Sequence, residues 1–169
     1  IGDEKAEEGT VSLALGLGKY IVDGGLTLRV CPYHPTQVLQ TSEMEMALRE
    51  TQTSFYALDL KNKGENFSLD DGFNLLKLPV KEADKDGALQ YIASTYDPYD
   101  MVIRDGVYPG GRKVITFDNI LQHEVFPLAR ILQLTQEYGQ NEMRRPVEIE
   151  FAVTLNQKEK TGVFYLLQV

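Results

Sequence analysis

The chain has 169 residues, 43% of them hydrophobic and 25% charged, which suits one domain with a sizeable core and is too short for two full ones. Its 25 acidic residues outweigh 17 basic ones, and no dense Lys/Arg run supplies the basic face that nucleic-acid binding needs. No apolar stretch approaches the roughly 18 to 20 residues of a membrane span. No signal peptide is visible, and the single Cys31 excludes an internal disulfide framework. These features predict a cytoplasmic protein with neither nucleic-acid nor membrane partners.

The chain opens at Ile1 without a methionine and closes at Val169 within an apolar run, as expected of a fragment of a longer polypeptide. The acidic start, Asp3 to Glu8, reads as a solvated edge or short helix. Residues 10–15 read as a strand that ends in the glycine turn Gly16-Leu17-Gly18. A second turn, Asp23-Gly24-Gly25, leads to a strand over 26–30, and Pro32 and Pro35 then break regular structure. Ser42 and Glu45 have capping-box spacing, which predicts a short helix to about Glu50. Residues 55–60 and 73–80 read as strands around a polar connection. Ala88, Leu89, Ile92, Ala93 and Tyr96 recur at helical spacing and predict a helix stopped by Pro98. A strand over 113–117 follows. A helix then opens with Pro127 in its first turn, carries Leu128, Ile131, Leu132 and Tyr138 on one face, and is capped by Gly139. Two strands, 146–154 and 163–168, close the chain. Irregular alternation of strands and helices predicts α+β architecture with a largely antiparallel sheet and packed helices.

Several motifs are excluded by spacing. A phosphate loop at Gly16-Leu17-Gly18-Lys19 requires glycine where Leu13 stands and Ser or Thr where Tyr20 stands. A dinucleotide fingerprint requires a third glycine in place of Ile21. His34 lies between prolines and His123 beside a helix, and no Cys/His set has zinc-ligand spacing. Both histidines read as structural.

The last two strands carry the most chemistry. Strand alternation sends Glu148 and Glu150 to one face, about 7 Å apart, while Val147, Ile149, Phe151 and Val153 fill the other. A hairpin centred on Glu159 sets Gln168 opposite Glu150. Such a face suits Mg²⁺, which prefers hard oxygen ligands and takes one or two carboxylates together with nucleotide phosphates. Pattern alone favours the ordinary solvent-exposed face of an antiparallel sheet.

The residues themselves shift that balance. Arg145-Pro146-Val147-Glu148-Ile149-Glu150-Phe151, followed by Phe164-Tyr165-Leu166-Leu167-Gln168, resembles the closing signature of the ATP-binding domain in the phosphoenolpyruvate synthase and pyruvate, phosphate dikinase family. Gly16-Leu17-Gly18 with Ile21-Val22 and Gly24 is similar to that family's Gly-Leu-Gly-Glu-x-Val-Val-x-Gly segment. The two motifs stand near the two ends of the chain, so residues 1–169 read as one domain fragment. Residues 35–115 match loosely and read as a lineage-specific insertion.

The resemblance implies the carboxyl-side lobe of an ATP-grasp fold. It implies that Glu150 and Gln168 hold Mg²⁺, that Glu148 lies beside them in the nucleotide cleft, and that Gly16 and Gly18 admit ATP close to the backbone. It further implies a carrier histidine on a separate domain of the same parent chain and pyruvate as final acceptor. No catalytic residue is assigned within the chain, and the fragment alone is expected to be inactive. Lys19 stands where the family has Glu, which keeps open a non-catalytic nucleotide-sensing or protein-interaction module with the same fold.

Overall fold

The computed structural model describes residues 8–61, 72, 74–156 and 161–169. The expected acidic element at Asp3 to Glu7 therefore falls outside the described residues. Nine strands and four α-helices are present among them: β1 (Val11–Leu13), α1 (Lys19–Val22), β2 (Leu28–Val30), α2 (Met44–Glu50), β3 (Ser54–Leu58), β4 (Leu75–Pro79), β5 (Ala93–Asp97), β6 (Val102–Asp105), β7 (Arg112–Ile115), α3 (Asp118–Leu121), α4 (Leu128–Met143), β8 (Glu150–Asn156) and β9 (Thr161–Gln168). Every strand pairing among the described residues is antiparallel, and three two-stranded ribbons accompany one three-stranded sheet of order β6-β5-β7. The fold is α+β. No helix among the described residues is long and apolar enough to cross a membrane.

One apolar core joins these pieces. Leu13, Leu28 and Val30 from the first ribbon meet Phe55, Leu89, Ile92, Ala93 and Ile115, and the helical side supplies Ile120, Leu121, Leu128 and Leu132. Leu89 and Val114 are fully enclosed. Residues 35–115 thus contribute core side chains together with the segments on either side. The β8–β9 ribbon lays Phe151, Val153, Leu155 and Phe164 against this core as half-buried neighbours, with the Phe151 and Phe164 rings stacked at 5.2 Å. Its other face is exposed at Val163 and Tyr165.

Four local expectations are corrected. The segment read as a helix through Ala88 to Tyr96 is a short turn followed by strand β5. The amides of Ile92 and Ala93 both donate to the Leu89 carbonyl, so one turn buries Leu89, Ile92 and Ala93 at spacings of three and four before the chain extends. Ser94, Thr95 and Tyr96 then take the β-branched and aromatic composition of a central strand.

The capping box does not form. Helix α2 starts where expected, but Ser42 Oγ donates back to the Leu39 carbonyl at 2.7 Å and no side chain caps the helix. Tyr138 is exposed rather than packed, because α4 buries only a narrow face through Leu128 and Leu132. Gly139 lies inside α4, which ends instead on Arg144 in the left-handed conformation at φ 53°. The glycine has a packing role there: a Cβ on it stands 3.2 Å from Val147 Cγ2 and 3.5 Å from Val169 Cγ1. Its bare backbone lets the chain after α4 and the end of β9 settle on the helix.

Candidate functional site

That settling builds a cleft at the open end of the β8–β9 ribbon. It encloses about 370 Å³ and is lined by Met143, Arg145, Val147, Glu148, Glu150 and Gln168, with Pro146 and Val169 completing the wall. Three of the residues singled out from the sequence, Glu148, Glu150 and Gln168, therefore share one cavity. Glu150 pairs directly with Gln168 across the two strands, as the centred hairpin predicts. Glu148 sits two residues before β8 begins, on the approach from α4.

The pairing is not a simple continuation of the ribbon. Phe151 opposes Leu166, whereas Glu150 opposes Gln168, so Leu167 is an extra residue and the ladder bulges between Glu150 and Phe151. The rest of the hairpin is centred half a residue earlier than expected. All three polar side chains are exposed, so the cleft is wet and accessible.

Arg145 is the lining residue that sequence reasoning passed over. It was legible as the first residue of the closing signature, yet no role attached to it. It lines the same cleft as Glu148, Glu150 and Gln168, so the wall carries a guanidinium as well as two carboxylates and an amide.

Gly16 and Gly18 do not line this cleft. Gly16 packs against β3: at φ +96° it brings a Cβ position to 2.7 Å from the Tyr56 carbonyl oxygen and 3.0 Å from Phe55 Cβ. The next amide, Leu17 N–H, donates to that same Tyr56 carbonyl at 3.1 Å. The first glycine is thus demanded by the fold. Gly18 opens into free space at the start of α1, with φ −55° and ψ −25°. Lys19 ion-pairs with Asp23 one turn on, at 3.1 Å, and Tyr56 Oη donates to the other Asp23 oxygen at 3.1 Å. The Lys19 hydrogen bond, and after it that from Tyr56, holds the Asp23 carboxyl below its ordinary pKa.

Both histidines rest against carboxylates. His34 Nε2 is 3.2 Å from Glu8 Oε2, and His123 Nε2 is 3.1 Å from Asp105 Oδ2. No group of three or more His, Cys, Asp or Glu side chains gathers among the described residues. Glu148, Glu150 and Gln168 offer two carboxylates and one amide oxygen, a hard-oxygen set that matches a cation whose remaining ligands are phosphate and water.

A buried polar knot, unforeseen from sequence, ties β5 to α3. Ser94 Oγ lies 2.7 Å from Thr116 Oγ1 and donates to Asp118 Oδ2 at 3.2 Å, while Gln122 Nε2 donates to Asp118 Oδ1 at 2.9 Å. Burial pushes the Asp118 carboxyl above its ordinary pKa, against the pull of these donors. Ser94 is only 1% exposed, so its hydroxyl is a fold element rather than a nucleophile. The chain changes hand at the knot, with Phe117 at φ 56° just before α3.

Comparison with known proteins gives no match to a family model, a curated protein or a solved structure.

Proposed function

We propose that the cleft at the end of the β8–β9 ribbon is the metal and phosphate end of a nucleotide site in an ATP-grasp lobe. The parent enzyme on this reading is a phosphoenolpyruvate synthase-like phosphotransferase that uses ATP to phosphorylate a carrier histidine on the way to pyruvate. The observation that carries it is the cross-strand pair Glu150–Gln168, joined in one cavity by Glu148 and Arg145. The resemblance of residues 145–151 and 164–168 to the family's closing signature assigns those same positions to Mg²⁺ and nucleotide.

Glu150 and Gln168 would hold Mg²⁺, which neutralises charge on the phosphoryl group being transferred. Glu148 would lie beside them in the nucleotide cleft, and Arg145 would offer a fork of donors to phosphate oxygens. Neither His34 nor His123 lines the cleft, so the phosphoryl acceptor on this reading comes from another domain of the parent chain. The chain by itself then binds nucleotide without completing a catalytic cycle.

The test is calorimetric titration of ATP with and without Mg²⁺ into the protein and its Glu150→Ala variant. Loss of a charged metal ligand should weaken Mg²⁺-dependent binding about tenfold, or roughly 1.4 kcal/mol. Binding of equal strength in the variant moves the metal away from this strand pair.

A second reading is supported by the Lys19–Asp23 ion pair, which occupies the position where the family carries Glu. It makes the chain a non-catalytic nucleotide-sensing or protein-interaction module. Nucleotide binding that persists while the reconstituted parent shows no ATP-dependent histidine phosphorylation favours it.

A further inference from the structure

A second cleft, of about 440 Å³, lies between the start of β7, the segment before β3 and the turn after β4. Its size falls within the range of small-molecule sites. Thr53, Lys81, Gly110, Gly111, Arg112 and Lys113 line it, with Asp84 as its one carboxylate. Three cations against one carboxylate leave an excess of two positive charges, in a chain whose formal net charge is −8.

The backbone there is held in a fixed turn. Gly110 and Gly111 have consecutive positive φ values of 75° and 63°. A Cβ on Gly111 falls 2.4 Å from the Tyr96 carbonyl oxygen, so only glycine fits. Lys113 Nζ donates to the Tyr108 carbonyl and, at 3.0 Å, to that of Gly110, which pins the loop and neutralises its carbonyl ends. Arg112 Nη2 donates to the Leu48 carbonyl at 2.9 Å, fixing the guanidinium with further N–H groups left to use.

Strand β7 is an edge strand, paired on one side with β5 only. On its other edge Ile115 N–H donates to Thr51 Oγ1 at 2.8 Å. Backbone amides alternate along an antiparallel strand, so Lys113 N–H points away from β5 as Ile115 N–H does. That edge faces Thr53 and the second cleft. Backbone amides of a turn beside cations can make a concavity suited to an anion.

The geometry points to this second cleft as a site for a phosphate group, free or carried on a small ester, bound by the Lys113 amide, Arg112 and Lys81. The positive excess of the lining suits an anion, and the Lys113 amide with the Arg112 and Lys81 side chains offers donors to the several oxygens of a phosphate. The site is separate from the β8–β9 cleft and does not depend on the reading given to that one.

Amide chemical shifts followed by NMR during titration with inorganic phosphate and with glycerol 3-phosphate, at constant ionic strength, test it. The amides of Gly110, Gly111 and Lys113 should shift saturably, with a Kd of about 1 mM or tighter. Lys81→Gln and Arg112→Gln should each weaken binding several-fold, whereas Glu150→Gln should leave it unchanged. Lys81 is exposed and caps no backbone group, so its variant carries the test if Arg112→Gln disturbs the loop. Tighter binding of the ester identifies an ester-bearing ligand, equal binding identifies the free anion, and both uphold the site. Shifts that stay linear, or that survive both charge substitutions unaltered, overturn it.

Discussion

The two glycines of the turn before α1 should respond in opposite ways to alanine, because one is held by the fold and the other is open. At Gly16 an alanine must adopt φ near +96°, and its Cβ must sit 2.7 Å from the Tyr56 carbonyl oxygen. The left-handed conformation costs roughly 1–2 kcal/mol for a residue with a Cβ. The overlap is with backbone, which cannot swing aside, and overpacking of this kind costs typically about 1–3 kcal/mol. Gly16→Ala should therefore lose about 2–5 kcal/mol, a large part of a domain's usual stability of roughly 5–15 kcal/mol.

Gly18 has helical dihedrals and nothing within 4 Å of an added Cβ. Alanine there restricts the unfolded chain and should stabilise by about 0.4–1 kcal/mol. Urea unfolding followed by far-ultraviolet circular dichroism compares the midpoints of both variants with wild type. A Gly16→Ala protein within about 0.5 kcal/mol of wild type refutes the packing argument, since surface substitutions commonly fall in that band. The same pair separates fold from ligand. If the backbone near Gly18 approaches a nucleotide, Gly18→Ala keeps its stability and loses affinity for ATP.

Two further expectations concern buried polar groups. Thr51→Val removes the hydroxyl that accepts the Ile115 amide while keeping the side-chain shape. Thr51 and Ile115 are both buried, so the orphaned N–H should cost about 1–3 kcal/mol in urea unfolding, and Thr51→Ser should restore most of it. Asp118→Asn should change how stability depends on pH. Because burial raises the folded-state pKa, the native protein takes up this proton before the unfolded chain does as pH falls. The contribution of Asp118 to stability is therefore most favourable below the unfolded pKa, and it declines as pH rises through the raised folded value. Wild type should lose ground to Asp118→Asn across that window and hold a constant difference above it. Parallel stability curves for the two proteins across acid pH contradict this.

The parts of the fold that were legible in the sequence are those where one pattern acts alone. The Pro127 start of α4, the strands over 26–30 and 113–117, and the antiparallel character follow from turn residues and side-chain period. The helix expected through Ala88 to Tyr96 misled because one turn imitates a helical period when it buries Leu89, Ile92 and Ala93 in succession. Gly139 misled because its role is to admit Val147 and Val169 against α4, a contact between segments that no local rule registers. The Ser94–Thr116–Asp118 knot joins residues 22 and 24 apart in sequence, and each of them taken singly reads as an ordinary polar residue.

The candidate site shows how a local irregularity can decide a cross-strand partner. Along most of the β8–β9 ribbon the register is set by burial: Phe151, Val153 and Leu155 of β8 face the core together with Phe164 of β9, and a slip of one residue on β9 turns Phe164 to the other face. Continued without interruption, the pairing of Phe151 with Leu166 sets Leu167 opposite Glu150, an apolar residue facing a carboxylate. The bulge takes up Leu167, which is 63% exposed, and delivers Gln168 to that position instead. A hairpin centred on Glu159 arrives at the same pair without the bulge, but only by setting Phe164 opposite Thr154, on the face away from the core. The core and the polar cleft therefore require registers that differ by one residue on β9, and the bulge between them satisfies both.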